Sequence, residues 1–152
     1  MSLDFEKYAI KGNEIVNRLS DELDLPRDSA ARILRSVLHA LRNRITIEES
    51  FQLIAQLPMA LKGVYVDGWQ PGKAFKRIHY LEDFIEEVKK EDGRTANYDF
   101  DNAENSKHAI RNTFKTLSYY LSEGEMDDIL SVLPKELKEF VEYSIRDNRT
   151  VL

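Results

Sequence analysis

The chain contains no cysteine, so disulfides, thiolate nucleophiles and most structural zinc sites are excluded at the outset. It has no apolar stretch near the roughly 20 residues that a membrane-spanning helix needs. Asp4, Glu6 and Lys7 interrupt any apolar run near the start. Neither a membrane span nor a signal peptide is expected, and the cytoplasm is the expected location. Positive charge is not in excess: 27 acidic residues against 22 basic leave a net charge of −5, which favours solubility and opposes broad attraction to phosphate backbones. Nucleic acid is disfavoured as a partner on that ground. No strand pattern of useful length is present, and at 152 residues the chain fits one domain, burying roughly two thirds of its unfolded surface without staples.

Groups poised for chemistry are also scarce. His39, His79 and His108 have no partner at metal-ligand spacing, and no serine sits in a nucleophile elbow. Glu86-Glu87 and Asp127-Asp128 are adjacent on helices and point to different faces, which is poor geometry for shared acid–base work. Gly68 to Lys73 has the spacing Gly-x-x-x-Gly-Lys, one residue short of a phosphate loop, and Ala74 stands where a magnesium-binding hydroxyl belongs. Asp99, Asp101 and Asn102 start like a calcium loop, but Ala103, Glu104 and Ile110 fall where ligands and the turn glycine are needed. No catalytic residue, metal set or cofactor is nominated, and the expectation leans away from an enzyme.

What the sequence does have is repetition. Laid on itself so that Leu57-Pro58 falls on Leu133-Pro134, a separation of 76 residues, it aligns Arg35 with Arg111, Leu41 with Leu117, Glu49 with Glu125 and Leu61 with Leu137. This predicts an all-α tandem duplication of a roughly four-helix repeat, packed into one domain over 3–146, with repeat one at about 5–66, repeat two at about 80–146 and a frayed tail at 147–152. In the first repeat Phe5, Tyr8, Ala9, Ile15, Val16 and Leu19 recur at helical spacing, with Gly12 as a weak point. A second stripe runs through Ile33, Leu34, Val37, Leu38, Leu41 and Ile45. Thr46-Ile47-Glu48-Glu49 and Ser122-Glu123-Gly124-Glu125 occupy equivalent places, and each has the form of a reciprocal helix-start cap. The second repeat opens at Tyr80 with Leu81, Phe84, Ile85 and Val88, and then carries a seven-residue insertion within Gly93 to Glu104, expected as a surface loop pinned by Tyr98 and Phe100.

Two features suggest surfaces. Leu57 to Val66 contains a single charge, Lys62, and is expected to be a central helix covered from both sides; if uncovered, it would be a docking patch. Arg32, Arg35, His39 and Arg42 lie on one helical face, matched by His108, Arg111 and Lys115 in the second repeat. A solvated face pairing with acids such as Glu48, Glu49, Asp127 and Asp128 is the simpler reading, and an anion site is the alternative. The linker adds Trp69, Lys73 and Arg77, an aromatic and basic mix that either plugs the seam between repeats or contributes to a ligand site.

Several ordered blocks carry a family likeness: Tyr8-Ala9-Ile10-Lys11-Gly12-Asn13-Glu14, Arg32 to Leu41, Gln56-Leu57-Pro58 with Tyr65 to Trp69, Phe84 to Val88 with Glu91 to Thr95, and Val132 to Leu137. Together they resemble the bacterial family catalogued as domain of unknown function 2267, over about Leu3 to Phe140. The resemblance implies an all-helical duplicated domain and supplies no activity, cofactor or catalytic residue. The expected function is a non-enzymatic interaction or regulatory module that binds a protein partner or itself. The alternative is a binder, or even an enzyme, for a small anionic ligand at the cleft between repeats, using Arg35, Arg111, Trp69 and neighbouring tyrosines.

Overall fold

The computed structural model describes residues 3–72 and 76–150, the last four of them (147–150) for their backbone only. The elements in order are α1 (Glu6–Leu23), α2 (Arg27–Arg44), α3 (Ile47–Gln56), α4 (Met59–Val66), α5 (Leu81–Asp92), the 3₁₀ turn η1 (Gly93–Thr95), α6 (Ala96–Asp99), α7 (Ala103–Ser118), α8 (Glu123–Val132) and α9 (Lys135–Thr150). Among the described residues there is no strand, and the protein is all-α. The final helix ends at Thr150, and 151–152, part of the stretch expected as a frayed tail, lie outside the described residues.

Helix boundaries follow local chemistry. Both expected reciprocal caps form: Glu49 N–H donates to Thr46 Oγ1 at 3.0 Å while Thr46 N–H donates to Glu49 Oε1 at 2.8 Å. Glu125 and Ser122 repeat the exchange at 3.1 and 2.9 Å. Pro26 and Pro58 each sit just ahead of a helix with φ near the value their rings impose, −57° and −56°. The inserted stretch is helical instead of a loop, because η1 and α6 continue from α5 through two short turns. Phe100 anchors it in the core, whereas Tyr98 is 63% exposed and pins nothing.

The central helix is α2, not α4. Residues on every side of α2 are buried, Ser29, Ala30, Ile33, Leu34, Ser36, Val37, Leu38, His39, Ala40 and Leu41 among them, and α1, α4, α5, α6 and α7 all pack against it. By contrast α4 buries Leu61 and Tyr65 and leaves Met59 50% and Val66 43% exposed. The charge count misled here, because polar groups can be buried when each finds a partner. Elsewhere α1 packs on α7, α3 on α8 and α9 on α7 and α5. One core therefore joins residues from Ile15 to Ile145. The N-terminal part of α1 departs from expectation, since Phe5 and Ala9 are exposed and burial on that helix starts at Ile15.

Among the described residues, two core hydroxyls, Ser36 Oγ and Thr116 Oγ1, are buried with no hydrogen-bond partner. Replacing a buried, unpaired hydroxyl by a methyl of the same shape removes a desolvation penalty. Thr116→Val is expected to raise stability by about 1 kcal/mol, read as a higher Tm with unchanged helicity. A lower Tm would contradict the burial of an unpaired group there.

Candidate functional site

The basic face of α2 is engaged by the fold along most of its length. Arg32 Nε and Nη2 grip both oxygens of Asp99 at 2.8 and 3.0 Å, tying α2 to α6. His39 is buried, and its Nε2–H donates to the Val64 carbonyl at 2.7 Å, which fixes the tautomer. Burial lowers the His39 pKa, with Arg42 and Arg35 nearby acting in the same direction. Arg42 Nη1 donates to the carbonyls of Tyr65 and Asp67, both at 2.7 Å. His39 and Arg42 thus satisfy carbonyls at the C-terminus of α4, where backbone acceptors run out of intrahelical donors and cations are favoured. Arg35 is the exposed member of the set.

The matching residues of α7 behave differently. His108 is exposed and meets the side chain of Asn112. Arg111 lies over the Phe140 ring, 5.2 Å from its centre. Lys115 is half-buried. Trp69 packs edge-on against Phe51 and Tyr65, with ring centres 6.2 and 5.8 Å apart, so its recorded contacts are within the first half of the chain. Tyr65 in turn is fixed by a 2.7 Å hydrogen bond to Ser50 in the core, and burial pushes its phenol up to about 12. Among the described residues, Arg111 thus packs toward α9 and Trp69 toward α3 and α4. Lys73 lies outside the described residues.

Where the linker meets the helices, a second network ties α2 to α5. Asn43 Nδ2 donates to Glu87 Oε1 and Glu91 Oε1 at 3.0 and 2.6 Å. Arg44 reaches Glu87 Oε2 at 2.7 Å and the Lys76 carbonyl at 3.1 Å. Arg77 pairs with Glu49 at 3.2 Å. The Arg44–Glu87 pair lines two clefts. One, of about 680 Å³, includes Arg42, Thr46, Glu48 and Trp69, with cations and acids in balance. The other, of about 740 Å³, includes Lys76, Arg77, His79, Lys89 and Lys90 against Asp83, Glu86 and Glu87, so its cations outnumber its acids.

Apolar side chains are also exposed on α3 and α4. Ile47 and Phe51 are one turn apart on α3, and Phe51, 59% exposed, touches Trp69. Trp69 N–H donates to the Val66 carbonyl, and Val66 shares the outer side of α4 with Met59 and the open Gly63. Ile47, Phe51, Met59 and Val66 are all exposed, and clustered apolar side chains in the open are the kind of surface that partners dock on. Phe51 was missed from the sequence because on periodicity alone it belongs equally well to an inward-facing stripe.

Among the described residues, fold and surface together describe a helical domain poor in reactive groups, with many of its polar side chains paired across helices and apolar side chains exposed on α3 and α4. The chain belongs to the family described as an uncharacterized conserved protein, DUF2267, whose model matches residues 12–140. No curated protein matches it. No described helix is long and apolar enough to cross a membrane.

Proposed function

We propose that the protein is a non-enzymatic helical interaction module of the cytoplasm that docks a protein partner, or a second copy of itself, on the apolar strip formed by α3, α4 and Trp69. The observation that carries this reading is an internal comparison. At the separation of 76 residues, Ile47, Phe51, Met59, Gly63 and Val66 correspond to Glu123, Asp127, Lys135, Glu139 and Glu142, every one of them charged. The same scaffold position therefore tolerates charge in one half, so the apolar side chains of the other half are not a requirement of folding.

The duplication on which that comparison rests is part of the proposal. Its support is the exchange of helices across the molecule: α2 packs on α5 as α1 does on α7, and the equivalent α3 and α8 pack on each other. The two reciprocal caps at Thr46 and Ser122 add a matched local feature.

Phe51→Asp, at an exposed position, is expected to leave helicity intact and to abolish at least one association of the wild-type chain, whether with itself in sedimentation or with a protein retained from lysate. Tyr143→Asp, at a position 74% exposed on α9, is expected to lose none. Identical associations for wild type and both variants would refute the reading. The cation excess of the second cleft favours a second reading, a small anionic ligand held between the linker and α5. A thermal-shift series with inorganic phosphate and dicarboxylates tests it, since a ligand at a hundredfold its Kd adds roughly 2.7 kcal/mol; an unchanged Tm throughout would remove it.

A further inference from the structure

We propose that Asp92 and Asp99 hold one proton between them, and that this shared proton fastens the η1–α6 corner to α2, so that the corner tightens in mild acid and loosens above neutrality. Asp92 ends α5, Asp99 ends α6, and both are buried. Arg32 engages both oxygens of Asp99 and also reaches Ser29 Oγ. Thr95 Oγ1 donates to Asp92 Oδ1 at 2.9 Å, while Asp92 Oδ2 is buried with no donor among the described residues. Two carboxylates facing one guanidinium leave a negative charge uncompensated where water is largely excluded. A proton on Asp92 removes that charge and gives it an O–H to donate to Asp99, the acid that interacts with it.

The groups facing the pair come from three sides. From α2 come Arg32 and Ser29, with Asp28 acting on Arg32; from η1 comes Thr95; and α5 and α6 contribute the two acids themselves. Burial, reinforced by Asp99, pushes the Asp92 carboxyl up to about 6 against the opposing effects of Thr95 and Arg32. For Asp99 burial acts upward, but the hydrogen bonds from Arg32, Asp92 and Ser29 prevail and hold it below its ordinary value. The proton therefore resides on Asp92. A raised carboxyl stabilises the closed corner below the ordinary carboxylate range and loses that effect as pH rises through about 6. Asp99 acts in the opposite sense, its stabilisation failing only as pH falls below the ordinary range. Between those limits the corner responds to Asp92.

The test is amide hydrogen exchange on the full chain, with carboxyl-carbon NMR of the same sample. On going from about pH 5 to about pH 7.5, protection of amides in 96–100, corrected for intrinsic rate, is expected to fall about tenfold, while protection in α3 holds. The Asp92 carboxyl carbon is expected to titrate near 6. Asp92→Asn, which keeps a donor toward Asp99 without a titrating proton, is expected to show the same corner protection at both pH values. Protection that does not change with pH in the wild type, an Asp92 carboxyl titrating in the ordinary range, or an unchanged pH response in Asp92→Asn would each overturn the proposal. The carboxyl measurement needs no variant, so a poorly folding Asp92→Asn would leave the proposal open to refutation.

Discussion

Arg32→Met is expected to lower the stability of the fold by about 3 kcal/mol at neutral pH. The Asp99 side chain it abandons is fully buried, with Arg32 itself about one-third exposed. Removing one partner of a buried pair leaves the other charge without compensation, which is why such losses exceed the net worth of the intact pair. Here the loss is compounded because Asp92, already raised by burial, is raised further by Asp99. Without the guanidinium both acids prefer to be neutral, so the deficit shrinks as pH falls and the carboxyls take up protons. Denaturant unfolding at about pH 5 and about pH 7.5 reads this directly. Adding Asp99→Leu to the variant removes the orphaned charge and is expected to recover much of the loss. Equal stability of Arg32→Met and wild type at both pH values would contradict the account of the α2–α6 joint.

The second large effect is at Gly12. A Cβ placed on it would stand 2.8 Å from the Cβ of Ala60, far inside van der Waals contact and against an atom that cannot rotate away. Glycine within a helix ordinarily reduces stability by roughly 1 kcal/mol relative to alanine, so its presence in the middle of α1 reflects the close approach of α4. Gly12→Val adds three carbons to that contact and is expected to destabilise by about 2 kcal/mol, within the range for overpacking. Ala60→Gly in the same chain opens space and is expected to return part of it. A neutral or stabilised Gly12→Val would mean that α1 and α4 are not held this close.

The sequence made the helix starts legible because their determinants are local. The Thr46 and Ser122 caps need only four residues each, and the stripes of α2 and α5 need only helical periodicity. It misassigned the central helix because a tally of charges on α2 says nothing about which carbonyls and carboxylates lie across from them. Arg32, His39 and Arg42 look like a solvated face until α4 and α6 are in place. The Asp92 site did leave a trace, since Asp92 continues the apolar stripe of Leu81, Ile85 and Val88, and an acid on a core stripe calls for a buried partner. That partner, Arg32, lies far away in sequence, beyond the reach of any spacing argument. The exposed side of α4 is half visible in the sequence: Lys62 is the single charge in Leu57 to Val66, but which side faces solvent depends on packing against α1, α2 and α3.

Photo-crosslinking in the native cell tests the docking surface most directly. A benzophenone side chain at Phe51 is expected to yield a discrete adduct, to a second copy or to another protein, that the same group at Tyr143 does not yield. No adduct from position 51, or the same adducts from both exposed positions, would contradict the assignment of the α3–α4 strip as the binding face.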